Sequence, residues 1–323
     1  MSDEYHVKLS NGLELPLIGY GSWQSTDEDQ LKKCLSLALD IGYRYIDTAT
    51  LYGNHYIIGQ VLQEYYDAGK LKREDVFITT KLPLHGHRKE DVEHFIKEAL
   101  KDLRTDYIDL YLIHNACPVK RNDDYTMKWI DNGRHLEPIE VPHIETWREL
   151  EHHYKAGTLK SIGVSNFTAK QLQELYDQAE VKPMNLQIEL HIYHRRRDLV
   201  ELCKKLNISI TSYATLGSPG RLKDIIDPNR KFPDRDLLHH PLVLEIAKKH
   251  NKTAAQVLLR HLIQLKISVI PKSLTPKRIE ENFGVFDFSL TDEDISRLDN
   301  EITEDVRLFE YIMVENHPYY PPY

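Results

Sequence analysis

Four polar side chains in the first third of the chain are of the types that a proton-transfer reaction needs. Asp47 ends an aromatic and β-branched run that starts at Tyr43, and Tyr52 lies in the loop that follows. Lys81 and His114 end the next two apolar runs. Each side chain alone has an ordinary structural interpretation, such as a buried ion pair or a core tyrosine. Together they place an acid, a phenol, an ammonium and an imidazole at three successive strand ends, which packing explains poorly.

The chemistry expected of this group is proton donation by Tyr52. An ammonium at the end of an apolar strand is costly unless a carboxylate pairs with it, so Lys81 and Asp47 are expected to form an ion pair. A positive charge beside a phenol lowers its pKa, which is about 10 when unperturbed. We therefore expect Lys81 to make Tyr52 a better proton donor. His114 is expected to position a carbonyl oxygen or to share the proton transfer.

These strand ends belong to a repeated order of apolar strand and amphipathic helix. Eight such βα units span residues 17–283. Strands that alternate with helices predict a parallel sheet, and eight units over roughly 250 residues predict an α/β fold of the closed (β/α)₈ TIM barrel type. A doubly wound sheet is the alternative. Its dinucleotide fingerprint is missing, because Gly19-Tyr20-Gly21 is followed neither by a third glycine nor directly by a helix.

The ends of the repeat are also predicted from the sequence. Residues 6–17 alternate apolar and polar around Ser10-Asn11-Gly12, which predicts an N-terminal β-hairpin with a two-residue turn that serves as a plug or lid. Near the other end, one long helix is predicted over 241–265 and a last one over 276–283.

Three long segments interrupt the repeat. They are 116–142, 215–240 and the tail from about 300 to 323, and they are rich in Pro, Asn, Asp and aromatic residues. The first two leave from the C-terminal ends of strands, so we expect long loops at the C-terminal face of the barrel. Long irregular loops are often functional, and these are candidate walls of a substrate pocket. Variable surface loops are the alternative interpretation.

Composition limits the class of protein. The 323 residues carry a net charge of −8, which disfavours a general nucleic-acid binder. No apolar run approaches the ~20 residues of a membrane span, and the first residues lack the regions of a secretory signal. Cys34, Cys117 and Cys203 are distant from one another, which fits a reducing cytosol. We expect one cytoplasmic domain over 1–323, without a metal, acting on a small molecule as a monomer, with a dimer left open.

A second group of residues favours an anion and a flat ring. The run 270–278 gathers lysine, arginine, serine and threonine at a helix start, where free backbone N–H groups favour an anion. A solvated basic helix start is the structural alternative. Ser165, Asn166 and Gln187 near the fifth and sixth strand ends offer groups suited to a carboxamide, and Tyr213 is placed to stack on a ring. A carboxamide on a ring and a distant phosphate describe a nicotinamide dinucleotide.

The chain resembles the aldo-keto reductases from near Lys8 to the tail, and within them the aldose and aldehyde reductase branch. The resemblance rests on the runs 42–49, 72–81, 163–167 and 270–282. It implies a (β/α)₈ barrel that reduces a small carbonyl compound to an alcohol with NADP(H).

The resemblance also implies roles for individual residues. Tyr52 is implied as general acid, tuned by Lys81 and Asp47, with His114 orienting the carbonyl. The implied substrate contacts are Trp23, His114 and Asn115. The residues implied to bind the cofactor are Ser165, Asn166 and Gln187 at the carboxamide, Tyr213 on the nicotinamide, Leu216 and Ser218 at the pyrophosphate, Lys272, Ser273, Thr275 and Arg278 at the 2′-phosphoadenosine end, and Glu281 and Asn282 at the adenine.

Some positions depart from the family pattern. Asn115 stands where the branch commonly has Trp, so we expect a more polar or wider pocket there. The run 214–219 replaces the usual start of its loop, and the end of the tail is this chain's own. A nucleotide-sensing regulatory protein of the same fold is an alternative function, disfavoured by the intact polar group at the strand ends. A metal-dependent hydrolase or isomerase is disfavoured because no strand-end His and carboxylate set has ligand spacing.

Overall fold

The computed structural model describes residues 4–221 and 234–320. Residues 222–233 and 321–323, which belong to the predicted loop 215–240 and to the predicted tail, lie outside the described residues, as do residues 1–3. The strands of the main sheet are β3 (Tyr20–Gly21), β4 (Tyr45–Asp47), β5 (Phe77–Leu82), β6 (Leu110–Ile113), β9 (Ile162–Ser165), β10 (Asn185–Glu189), β11 (Ser209–Tyr213) and β12 (Ser268–Val269). They pair in parallel in this spatial order.

The first and last strands of this sheet also meet, which closes the barrel. The amide of Gly19 donates to the carbonyl of Val269 at 2.8 Å, and the amide of Val269 donates to that of Leu17 at 3.0 Å. Ile18 forms a parallel bridge with Val269. The closed parallel sheet confirms the predicted (β/α)₈ fold.

Helices cover the outside of the barrel. They are α1 (Glu28–Ile41), α2 (His55–Asp67), α3 (Lys89–Leu103), α4 (His143–Lys155), α5 (Ala169–Gln178), α6 (Arg197–Leu206), α7 (Pro241–His250), α8 (Ala254–Gln264), α9 (Pro276–Phe283) and α10 (Asp292–Asn300). In α1, the Asp27 side chain caps the first turn by accepting from the amide of Gln30, and Leu31, Leu35 and Ala38 form the buried stripe. No helix in the described ranges is long and apolar enough to cross a bilayer.

One prediction about the last helices is wrong, and one helix was not predicted. The predicted single helix over 241–265 is two helices, because Asn251 adopts a left-handed conformation (φ 52°) that ends α7. Thr253 and Gln256 then form a capping box that starts α8. Helix α10 was not predicted, although Thr291 and Asp294 form the same kind of box at its start.

The predicted N-terminal hairpin lies at the end of the barrel opposite to the strand C-termini. Strands β1 (His6–Lys8) and β2 (Glu14–Pro16) pair antiparallel. Their turn is longer than predicted, because the amide of Leu9 bonds to the carbonyl of Leu13 across three residues, with Gly12 at φ 92°. Leu9 and Leu15 pack beneath Tyr45 and Phe77, the first residues of β4 and β5. The hairpin therefore closes the lower end of the barrel as a plug.

The segment 116–142 and the tail pack together at the upper end. The former carries a short antiparallel pair, β7 (Trp129–Ile130) and β8 (His135–Leu136). Leu136 packs against Val314 of the tail in a small apolar cluster. The two segments thus form one side of the opening above the strand ends.

Candidate active site

Asp47 and Lys81 form a buried ion pair at the ends of neighbouring strands. β4 pairs with β5 in the register Asp47 to Thr79, so Lys81 lies two residues further along, where its side chain reaches back to the carboxylate. Lys81 Nζ donates to Asp47 Oδ1 at 2.7 Å, and the residues are 0% and 2% exposed. Lys81 also donates to the Thr48 carbonyl at 2.8 Å, and Gln187 Nε2 donates to Asp47 Oδ2 at 2.7 Å. The predicted pair therefore forms, with its burial compensated by further hydrogen bonds.

Tyr52 and His114 complete the group. Lys81 Nζ donates to the Tyr52 hydroxyl at 3.4 Å and lies 5.0 Å from the centre of its ring. The His114 ring is 5.8 Å from the Tyr52 ring at an interplanar angle of 77°. Nδ1 of His114 is buried and has no hydrogen-bond partner among the described residues. The four side chains predicted from three strand ends thus lie together.

The pKa values of this group differ from the sequence-based expectation. Burial raises the pKa of the Tyr52 phenol well above its usual range, and the Asp47 carboxylate raises it further. The predicted lowering by Lys81 is therefore wrong, because the sequence does not show how deeply the phenol is buried. Burial lowers the pKa of Lys81, against the opposing effect of Asp47. Burial and the Lys81 charge hold the pKa of His114 well below its usual value. A neutral phenol and a neutral imidazole face the ion pair.

A polar cluster next to this group contains the residues predicted to meet a carboxamide. Asn166, which adopts a left-handed conformation (φ 60°), joins the members of this cluster through its side-chain amide. Its Nδ2 donates to the His114 carbonyl at 2.9 Å and to Ser165 Oγ at 3.1 Å. Its Oδ1 accepts from the Tyr213 hydroxyl at 2.7 Å. Gln187 is bonded to Asp47, and Asn166 is bonded to the His114 carbonyl. These amide groups therefore adjoin the reacting side chains.

The residues predicted for the phosphate end surround the start of α9. Lys272 and Arg278 are both exposed. Ser273 Oγ accepts from the amide of Thr275 at 3.1 Å, which fixes the turn before Pro276. The helix start and the two cations give this region a positive potential in an acidic chain.

One cavity of about 1040 Å³ contains both regions. The predicted residues that line it are Trp23, Asp47, Tyr52, His114, Asn115, Ser165, Asn166, Gln187, Tyr213, Leu216, Ser218, Lys272, Ser273, Thr275, Arg278, Glu281 and Asn282. Lys81 is fully buried next to it. Its size is at the upper end for ligand pockets. Amide groups and an aromatic ring at one end and cations at the other fit an extended dinucleotide.

The cavity wall also contains residues that the sequence did not single out. They come from the loops and the tail: Leu51, Leu84, Met127, Trp129, Phe309, Tyr311 and Met313. The Phe309 ring lies 5.5 Å from the Trp23 ring. The segments 116–142 and 300–323 were predicted as pocket walls, but they lack the periodicity that would indicate which side chains face inward. The predicted contact Asn115 lines the cavity while its Oδ1 accepts from the amide of Cys117 at 3.0 Å.

Within residues 4–221 and 234–320, no three or more His, Cys, Asp or Glu side chains are arranged to hold a metal ion. Cys34, Cys117 and Cys203 are buried as free thiols.

The sequence and the fold are similar to those of known proteins. The chain is 40% identical over 294 residues to aldo-keto reductase family 1 member A1 of Bos taurus, covering 91% of this chain and 88% of that protein. The Gallus gallus protein of the same name is also 40% identical, covering 90% and 87%. The structure of the aldose reductase from Schistosoma japonicum superposes with a TM-score of 0.88 at 41% identity, covering 98% of both chains. Residues 17–302 match the Aldo/keto reductase family, to which this chain therefore belongs.

Proposed function

We propose that this protein reduces aldehydes or ketones to alcohols with NADPH, and that Tyr52 donates the proton. Members of its family reduce carbonyl compounds. The observation that supports Tyr52 as the proton donor is its position beside the buried Lys81 and Asp47 pair, with Lys81 Nζ 3.4 Å from the phenol oxygen. When bound, NADPH supplies the hydride that the carbonyl carbon accepts.

The electrostatics of the group support proton donation. Because burial raises the pKa of Tyr52, the phenol keeps its proton at neutral pH. As that proton moves to the substrate oxygen, negative charge develops on the phenol, and the Lys81 ammonium stabilises it. His114, whose pKa is held low, remains neutral and orients the carbonyl oxygen by a hydrogen bond.

The other cavity residues support the choice of cofactor. Ser165, Asn166 and Gln187 would hold the carboxamide, with Tyr213 against the ring. Lys272 and Arg278, with Ser273 and Thr275, would hold the 2′-phosphate. The remaining contacts proposed are Leu216 and Ser218 at the pyrophosphate and Glu281 and Asn282 at the adenine.

The test replaces the phenol by a benzene ring. Tyr52→Phe is expected to lower kcat with an aromatic aldehyde by about 10²–10⁴-fold, the range of general acid catalysis. NADPH affinity, followed by protein fluorescence, is expected to stay near the wild-type value. Tyr56→Phe removes the hydroxyl of a nearby exposed tyrosine and is the matched control. Unchanged turnover in Tyr52→Phe would remove Tyr52 from the mechanism.

The wild-type protein tests the wider proposal. Steady loss of NADPH absorbance with simple aldehydes is the expected result. NADPH binding without turnover across a panel of aldehydes and ketones would favour the nucleotide-sensing alternative.

A further inference from the structure

Glu189 is a buried carboxylate near the active site that the proposed mechanism does not use. It ends β10, two residues after Gln187, and is 2% exposed. It is not among the residues that line the cavity. Burying a carboxylate is costly unless hydrogen-bond donors satisfy its oxygens. The identity of those donors therefore indicates what Glu189 does.

Two of the donors are backbone amides of the tail. The amide of Leu308 donates to Glu189 Oε1 at 2.6 Å, and the amide of Phe309 donates to Oε2 at 3.0 Å. His191 Nε2 lies 2.9 Å from Oε1, and Nδ1 of the same ring accepts from the amide of Tyr193, so Nε2 is the donor. Arg307 of the tail adds an ion pair, with its Nε 3.9 Å from Oε2. The carboxylate is fully bonded and paired only while the tail lies against the barrel.

Neighbouring tail residues are attached to the turn that follows β10. The amide of Val306 donates to the carbonyl of Tyr193 at 2.7 Å. His194 Nδ1 lies 2.6 Å from Asp305 Oδ1. Leu308 itself is 2% exposed within an apolar cluster. The segment 305–309 is thus docked along its length, with Glu189 bonded to its last two amides.

The docked segment carries part of the cavity wall. The Phe309 ring lies 5.5 Å from the rings of both Trp23 and Tyr213. Two residues later, the Tyr311 hydroxyl lies 2.9 Å from the Tyr213 hydroxyl and 3.4 Å from Asn166 Oδ1. Both side chains line the cavity at the end that holds Tyr52.

We propose that Glu189 is a positioning residue that determines which carbonyl compounds the site accepts, because it holds Phe309 and Tyr311 in place as the wall of the substrate pocket. The inference rests on the proposed reductase function. According to this proposal, the wall favours apolar substrates whose aromatic group is large enough to contact Phe309 and Trp23. The reduction of a small aldehyde that does not reach the wall does not depend on Glu189.

The charge state of Glu189 agrees with this role. Burial would raise the pKa of its carboxyl group, but the bond from His191 and the backbone bond from Leu308 lower it below the usual value. Glu189 is therefore an anion at neutral pH, the form that accepts both tail amides.

The main variant is Glu189→Gln, which keeps the shape but places an amide NH₂ against one of the tail N–H groups. KM for 2-naphthaldehyde is expected to rise roughly tenfold to hundredfold, the range for a lost apolar contact in a specificity pocket. KM and kcat for propanal, measured at saturating NADPH, are expected to stay within about twofold. If Glu189→Gln does not fold, Glu189→Asp, which keeps the charge but withdraws it by one methylene, is measured in the same way.

A matched control distinguishes positioning from general support of the fold. Glu151 is also 2% exposed, and it accepts from the amides of Glu180 and Val181 at 2.7 and 2.9 Å, away from the cavity. Glu151→Gln is expected to leave the ratio of the two KM values unchanged. An equal change of this ratio in both variants, or no change in Glu189→Gln, would overturn the proposal.

Two further measurements test whether Glu189 acts through the tail. Phe309→Ala is expected to raise KM for 2-naphthaldehyde, and in the double variant with Glu189→Gln the KM should rise by less than the product of the two separate increases, because both changes remove the Phe309 part of the wall. Additive effects would contradict the proposal. Amide hydrogen exchange of the peptide that contains Leu308 and Phe309 is expected to speed up in Glu189→Gln and not in Glu151→Gln. That measurement needs no turnover, so inactivity of the wild type toward both aldehydes would refute the reductase function and leave the docking role tested.

Discussion

The two ends of the long cavity hold their charged groups in opposite ways. At the reacting end, Asp47 and Lys81 are almost fully buried and bonded to each other at 2.7 Å. At the basic end, Lys272 and Arg278 are exposed beside the start of α9. Buried charges interact strongly but are costly to desolvate, whereas water and salt weaken the interactions between exposed charges.

This difference separates the two tasks of the cavity. The reacting end has its hydrogen bonds in place in the protein itself, so it is organised before any ligand arrives. Its side chains should therefore affect the stability of the fold as well as turnover. The basic end holds its cations at the surface, where charge interactions are weak, so replacing them should cost little stability.

The largest expected effect comes from removing the buried ammonium. Lys81→Met removes the cation from the buried Asp47 carboxylate, which keeps its hydrogen bond from Gln187. The free energy of unfolding is expected to fall by about 3–5 kcal/mol, as for other broken buried pairs. Turnover is expected to fall by orders of magnitude because the phenol loses its stabilising charge. Urea denaturation and NADPH consumption measure the two effects.

Lys272→Met is the matched control at the basic end. Its effect on the free energy of unfolding is expected to remain within about 0.5 kcal/mol, as for most surface substitutions. Equal destabilisation by the two lysine substitutions would contradict the contrast between the two ends.

A smaller effect is expected from Arg278→Ala. Because hydrogen bonds to charged groups contribute about 1.5–3 kcal/mol, the Kd for NADPH should rise roughly tenfold to hundredfold. The Kd for NADH, which lacks the 2′-phosphate, should change little. Lys277→Ala is the control, because this neighbouring lysine is exposed but does not line the cavity. Equal losses for the two cofactors would refute the assignment of Arg278 to the 2′-phosphate.

The reacting end was predictable because topology places it. In a parallel barrel every strand ends at the same face, so Asp47, Lys81 and His114 had to converge once their strands were recognised. The phenol pKa was not predictable, because burial outweighs the nearby charge and depends on how loops cover the site.

The errors elsewhere have different physical causes. The break between α7 and α8 was encoded locally, in Asn251 and in the Thr253 capping box, but the apolar periodicity on both sides concealed it. Phe309 and Tyr311 could not be assigned, because the tail has little regular structure and its placement depends on Glu189, more than a hundred residues earlier. A sequence pattern does not predict such a contact.

The last effect depends on pH and comes from a buried histidine beside the reacting end. Burial, and then the Lys81 charge, lower the pKa of His55 to about 3, and its Nε2 lies 2.8 Å from Thr80 Oγ1. In the unfolded chain this histidine titrates near its usual value of about 6.5, so it stabilises the fold fully above that pH. The contribution is lost as the pH falls from about 6.5 toward 3, by up to roughly 1.4 kcal/mol per pH unit. His55→Gln, which keeps a donor near Thr80, should reduce that slope in urea denaturation series. His6→Gln, at a half-buried position in β1, should leave the slope unchanged, and equal slopes in all three proteins would show that His55 does not carry the effect.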